Sequence, residues 1–289
     1  MPNFPIVDTH LHLWDTERFH YAWLLNFPAI NRPFLLPHFN AACATVAVDA
    51  MVFVQCDTHF SQGMDETRWV ASLASEDKRI QGIVAFAPLE QGHEVRSYLE
   101  QLCRIPLVKG ARRLIQSEDL EFCLCHDFLQ GLQLLPEFDL SFDICIYHPQ
   151  MANIIKMVQK CPQVRFMLDH FGKPDIKNQL LEPWKSEIAE LAAFPNVYCK
   201  VSGLVTEADH QNWTKEDLQP YIAHVIECFG WERAVYGSDW PVSKLATEYP
   251  DWVEALEWTV QGCTESQRRK LFRENALRFY RLDTSTPSN

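Results

Sequence analysis

Eight short β-rich runs, most of them followed by a helix-sized gap, limit what this chain can fold into more than any other feature. They are FPIVDTH (4–10), MVFVQ (51–55), IQGIVAFAP (80–88), LVKGARR (107–113), SFDICIYH (141–148), VRFMLDH (164–170), NVYCKVSG (196–203) and RAVYGSD (233–239). From the second run onward, successive starts lie 29, 27, 34, 23, 32 and 37 residues apart. Each interval holds one strand, a crossover helix and the return to a parallel neighbour. Eight such units predict an α/β fold, the (β/α)8 or TIM barrel, whose polar strand ends converge on one mouth.

Helical spacing fills the gaps, as in MDETRWVASLAS (64–75) and ANIIKMVQK (152–160), where bulky residues fall on one face. The first gap is longer. Its segment 14–34 is rich in aromatics and prolines without a clean period, which predicts a lid or pocket wall after strand 1. A length of 289 residues suits one barrel domain over 1–289, with order not expected in the polar tail 284–289. No fixed-period repeat or low-complexity stretch points to a solenoid.

The 26 basic and 38 acidic residues give a formal charge of −12, spread along the chain, a field that opposes nucleic acid and anionic membranes. A small-molecule partner is expected, with a homo-oligomer left open. The ten cysteines include no C-x-x-C pair and read as buried free thiols. The N-terminal residues lack a secretory pattern and no apolar run is long enough to span a bilayer. A cytoplasmic enzyme is the resulting expectation.

Four strand ends carry chemistry: Asp8-Thr9-His10-Leu11-His12, Tyr147-His148, Asp169-His170 and Gly237-Ser238-Asp239. Strand alternation puts His10 and His12 on one side, where two imidazoles suit zinc. The same pair could be two polar residues at a strand exit. Asp239 can accept a proton from an attacking water or cap a turn. His170, with the Lys173 cation close behind it, can polarise a carbonyl or bind metal, and His148 receives the same reading. On strand 4, alternation turns Arg112 inward, with Gly110 leaving space beneath it, to hold a carboxylate or a polarised carbonyl. Arg113 then makes a surface ion pair, and Lys109 points outward, so it is not assigned as a carbamylated ligand. Trp14, Trp23 and Trp240 are candidate pocket walls.

Taken together, VDTHLHLWD, VKGARRLIQ, VRFMLDHFGKPDI, VYCKVSGL and YGSDWPV resemble the amidohydrolase superfamily, and look most like its branch of sugar-lactone and related lactonases, from residue 4 to about 280. The resemblance implies a (β/α)8 barrel that hydrolyses a small cyclic ester, such as an L-fuconolactone-like or L-rhamnonolactone-like sugar or a muconolactone-type intermediate. It makes His10 and His12 the first-strand metal pair, His170 the sixth-strand histidine and Asp239 the eighth-strand carboxylate. His148 falls where the superfamily often has a fifth-strand ligand. One divalent metal, zinc by ligand type, is implied, although similar members work without one. The expected catalytic set is Asp239, His170 and Arg112. Substrate contacts are assigned to Arg112, Trp14, Trp240, His148 and Lys173, and metal contacts to His10, His12, Asp239 and His148. The rival within enzymes is a decarboxylase of the same superfamily, and the rival outside them is a silent binding barrel.

Overall fold

The computed structural model describes residues 1–283, so the expectation for the tail 284–289 lies outside it. Its eight strands run parallel in chain order: β1 (Ile6–Leu11), β2 (Val48–Val54), β3 (Ile80–Phe86), β4 (Val108–Arg112), β5 (Ser141–Ile144), β6 (Phe166–Leu168), β7 (Val197–Val201) and β8 (Ala234–Tyr236). Closure is made just beyond β8. The His12 amide donates to the Trp240 carbonyl and the Asp239 amide to the His10 carbonyl, each at 2.7 Å. The repeating runs thus close into a (β/α)8 barrel.

The covering helices are α1 (Leu36–Ala42), α2 (Gly63–Leu73), α3 (Arg96–Leu102), α4 (His126–Leu134), α5 (Met151–Lys160), α6 (Trp184–Ala192), α7 (Lys215–Phe229) and α8 (Tyr249–Thr259). Helix α5 illustrates how sequence sets packing. Met151, Ile154, Ile155 and Val158 recur at helical spacing and all are buried, so truncating one of these aliphatics to alanine is expected to cost about 2–5 kcal/mol. Helix α7 begins on a capping box, Thr214 Oγ1 accepting from the Asp217 amide at 3.3 Å, and stops at Gly230 with φ +65°.

The strands most shortened relative to their runs are β6 and β8. They have three residues each because the chain turns out of the sheet at both exits: His170 (φ +51°) and Phe171 (φ +58°) after β6, and Asp239 (φ +58°) after β8, adopt left-handed backbone. Segment 14–34 forms a wall as expected. Trp14 and Phe34 exchange backbone hydrogen bonds of 3.0 and 2.8 Å at its base, and a 3-10 turn at Ala22–Asn26 carries Trp23 to the cavity.

The cysteines are all free, but Cys103 and Cys125 are exposed, which corrects the reading of every thiol as buried. Gly110 also serves another purpose than expected: a Cβ there would stand 2.4 Å from Ser141 Oγ, so it permits the close approach of β4 to β5. Among the described residues no helix is long and apolar enough to cross a membrane.

Candidate active site

At the C-terminal ends of the strands, a cavity of about 390 Å³ narrows onto His12, His170, Asp239 and Arg112. His10 lies immediately behind them, fully buried. Two fixed turns aim these groups. Fully buried Asp8 accepts from the amides of His10 (3.1 Å) and Ser238 (2.9 Å) and from the Tyr249 hydroxyl (3.1 Å), tying the exit of β1 to that of β8. Burial still pushes its carboxyl up to about 6. At the other turn, Gly203 makes room for a ring, since a Cβ there would sit 2.3 Å from His170 Nδ1.

The imidazole protons follow from their partners. His12 Nδ1 lies 2.8 Å from the Val54 carbonyl, which can only accept, so Nδ1 carries the proton and Nε2 the lone pair. Arg112 Nη1, which can only donate, points at His10 Nε2 from 3.4 Å, so this ring too presents a lone pair at Nε2; its Nδ1 faces Asp169 Oδ1 at 3.3 Å, a close electrostatic approach outside hydrogen-bond alignment. The two Nε2 atoms are only 3.2 Å apart. Asp239 Oδ1 is 3.8 Å from His10 Nε2, 3.5 Å from His12 Nε2 and 3.8 Å from His170 Nε2.

That cluster of lone pairs around a carboxylate wants a cation. Burial lowers all three imidazoles, His10 well below its usual value and His170 to about 4, so at neutral pH they do not supply one as protons. Burial would raise Asp239, but His170, His12 and Lys173 outweigh it and hold the carboxyl below its usual range. Donors bound to one zinc at about 2.0–2.1 Å stand about 3.4 Å apart in tetrahedral geometry. The observed 3.2–3.8 Å separations fit, and His10, His170 and Asp239 together meet the spacing of a metal-binding group. A second group, Cys145, Asp169 and His170, has similar spacing. It is the poorer candidate because Asp169 already meets Arg112 at 3.1 Å and Lys200 at 2.9 Å.

Other expected residues lie elsewhere. Trp14 is fully buried, donating to the Arg32 carbonyl at 2.8 Å, and Trp240 packs edge-on against Phe34 and Phe39. Both are core residues, and Trp23 with Phe27 forms the aromatic wall. His148 is outside the cluster: it starts the turn His148–Gln150, and Tyr147 lines the cavity in its place. Lys173 does line the cavity, donating to Gln116 Oε1 at 2.6 Å. Arg112 turns inward as expected, but its guanidinium is engaged by Asp169 and the Gln55 carbonyl. Arg113 makes the expected surface pairs, with Glu90 and Glu118.

Sequence reasoning missed Lys200 and Asp143 beneath the site and Gln116 and Glu207 around it, and it named Asp169 and Tyr147 at their strand ends without giving either a role. A lysine midway along the apolar run VYCKVSG was the available signal for the first group.

The family model described as Amidohydrolase matches residues 7–282. The chain belongs to this amidohydrolase family. L-fucono-1,5-lactonase of Burkholderia ambifaria is 30% identical over 284 residues, with 96% of each chain covered. L-rhamnono-gamma-lactonase of Scheffersomyces stipitis is 23% identical over 336 residues, covering 98% of this chain and 100% of the relative. Among solved structures, an amidohydrolase from Burkholderia multivorans with bound zinc superposes with a TM-score of 0.88 at 27% identity, covering 97% of this amidohydrolase and 100% of the other.

Proposed function

We propose that this amidohydrolase is a lactonase, a hydrolase of carboxylic esters that opens a small sugar-type or muconolactone-type ring by attack of water. The observation that carries the reading is the Asp239 carboxylate ringed by three neutral imidazoles on the cavity floor. Full-length similarity to two sugar lactonases supports it.

All three imidazole contacts converge on Asp239 Oδ1, leaving Oδ2 outside them to take a proton from water. The water oxygen bonds to the lactone carbonyl carbon, and the displaced electron pair becomes an oxyanion. Lys173 and Arg112, both lining the cavity, stabilise that charge. Collapse breaks the ring C–O bond, and Asp239 returns its proton to the departing alkoxide. His170 Nδ1 pairs with Ser202 Oγ at 2.9 Å, which fixes the ring beside the reacting oxygen.

His10, His12 and Asp239, with His170 beside them, are the residues that would hold one divalent metal, and zinc fits their donor set. When bound it would polarise a carbonyl and make a water more acidic. The zinc in the Burkholderia multivorans amidohydrolase supports that choice.

The test is a panel of lactones read with a pH indicator, because ring opening releases an acid, with metal quantitation on the same sample. Asp239→Asn is expected to fold normally and lose about 10²- to 10⁴-fold in kcat. Wild-type turnover by that variant would remove the mechanism. Evolution of carbon dioxide from aromatic acids, without lactone opening, would identify a decarboxylase instead.

A further inference from the structure

Beneath the cavity floor lies a second layer of charge that the proposed reaction does not use. Lys200, from β7, places Nζ 2.6 Å from Asp143 Oδ2 on β5 and 2.9 Å from Asp169 Oδ1 just past β6. Tyr280, from the helix Asn275–Tyr280 near the C-terminus, donates its hydroxyl to the same Asp143 Oδ2 at 2.9 Å. Asp169 Oδ1, the atom held by Lys200, is also the atom facing His10 Nδ1 at 3.3 Å, while Asp169 Oδ2 accepts from Arg112. Asp143, Asp169, Lys200 and Tyr280 are all fully buried.

Asp143 and Asp169 are balanced by Lys200 from below and by Arg112 from the cavity side, so the buried charges sum to zero. Neutrality alone does not explain it, because buried ion pairs can usually be exchanged for well-packed apolar residues without loss of stability. Position does. Aligned through Asp169, the layer ends on the one nitrogen of His10 that points away from the cavity, where a fixed carboxylate decides which ring nitrogen carries the proton.

We infer that Lys200 and Tyr280 are positioning residues, which hold Asp143 and Asp169 so that His10 keeps its proton on Nδ1 and its Nε2 lone pair toward Asp239. Tyr280 thereby links the last described helix to the floor of the active site. Asp169 without Lys200 is free to turn toward Arg112 alone, and the His10 ring loses the contact that selects its tautomer.

The deciding measurement uses ¹⁵N and ¹³C shifts of the His10 ring in the full-length, metal-free protein, which report the tautomer without any substrate. Wild type is expected to show the Nδ1–H form. The double variant Asp143→Leu with Lys200→Met removes one charge of each sign and keeps the balance, so it is expected to fold, and its His10 should show a mixture of tautomers. On a lactone that wild type turns over, kcat should fall about 10- to 100-fold with KM within about twofold, and Lys200→Arg should recover part of the loss. Tyr280→Phe should give a smaller shift in the same direction, and it carries the test if the double variant does not fold. A wild-type ring in the Nε2–H form, or a tautomer and kcat unchanged in the folded variants, would overturn the inference. Absence of lactone turnover in wild type would count against the lactonase reading and leave the ring shifts to decide this one.

Discussion

The mouth of the barrel has two unlike halves. Around the exits of β1, β6, β7 and β8, polar side chains leave the strands directly, and their backbones are fixed by left-handed turns at His170 and Asp239 and by buried ion pairs below. Around the exits of β2, β4 and β5, the cavity is lined by loop residues such as Asp57, Gln116 and Tyr147, braced from behind by hydrogen bonds. The amides of Ile115 and Gln116 both donate to the Cys145 carbonyl at 3.1 Å, Gln150 Nε2 donates to the Ile115 carbonyl at 2.7 Å, and Glu66 accepts from the Cys56 amide at 3.3 Å. The contrast teaches that the side chains proposed for chemistry leave the strands directly, whereas the opposite half of the cavity is built from loop residues, the part of a barrel that can change its lining while the strands stay as they are.

The sharpest test compares the two histidines that looked alike. Replacing His170 with alanine should lower kcat about 10²- to 10³-fold, whereas His148→Ala should leave it within about twofold. An equal loss in steady-state assays would dissolve the division.

On the loop side, Glu66 makes a prediction about stability. Burial pushes its carboxyl up from 4.5 to about 8, so the folded protein keeps a proton that the unfolded chain releases above about pH 4.5. Its contribution is therefore fully present below that pH and is lost as pH rises through 8, by about 3 kcal/mol between pH 5 and 8. Urea unfolding at the two pH values measures this, and Glu66→Gln should flatten the difference.

Gly203→Ala should cost about 2 kcal/mol for its positive φ and lower kcat as the new Cβ displaces the His170 ring; a melting curve and a turnover assay together check it. The smallest effect is expected for Gln116→Ala, which removes the partner of Lys173 and should raise KM about fivefold, on the order of 1 kcal/mol, with kcat nearly kept. A kcat loss larger than the KM change would move Gln116 into the chemical half.

The same division explains what could be read beforehand. His10, His12, His170 and Asp239 were legible because each interrupts an apolar run at a strand end, where period-two geometry leaves few places for a side chain to go. Gln116 and Glu207 were not, since they lie beyond the strands on connections whose path follows no strand period, and Tyr147 was visible only as the neighbour of His148. His148 misled because Tyr-His-Pro and Asp-His look equivalent until the backbone is known: one exit enters a left-handed turn that throws its ring inward, and the other begins a helical turn at the rim. Lys200 and Asp143 were visible as polar residues inside strands, but nothing in either run says which other strand supplies the counter-charge.

The clasp between Trp14 and Phe34 has an evolutionary consequence. Residues 15–33 enter and leave the barrel at that clasp, and they are also pinned inside it: Trp23 Nε1 donates to the Cys56 carbonyl at 2.8 Å, the His59 amide donates to the His20 carbonyl at 3.0 Å, and Phe19, Tyr21, Leu24 and Ile30 are buried in the core, so an exchanged stretch must supply those contacts again. Grafts ended at those two positions would carry in a new wall in place of Trp23 and Phe27 while His12, two residues upstream, stays registered against Trp240. On the proposed lactonase reading, substrate preference could drift by replacement of this wall while His10, His12, His170 and Asp239 keep their places.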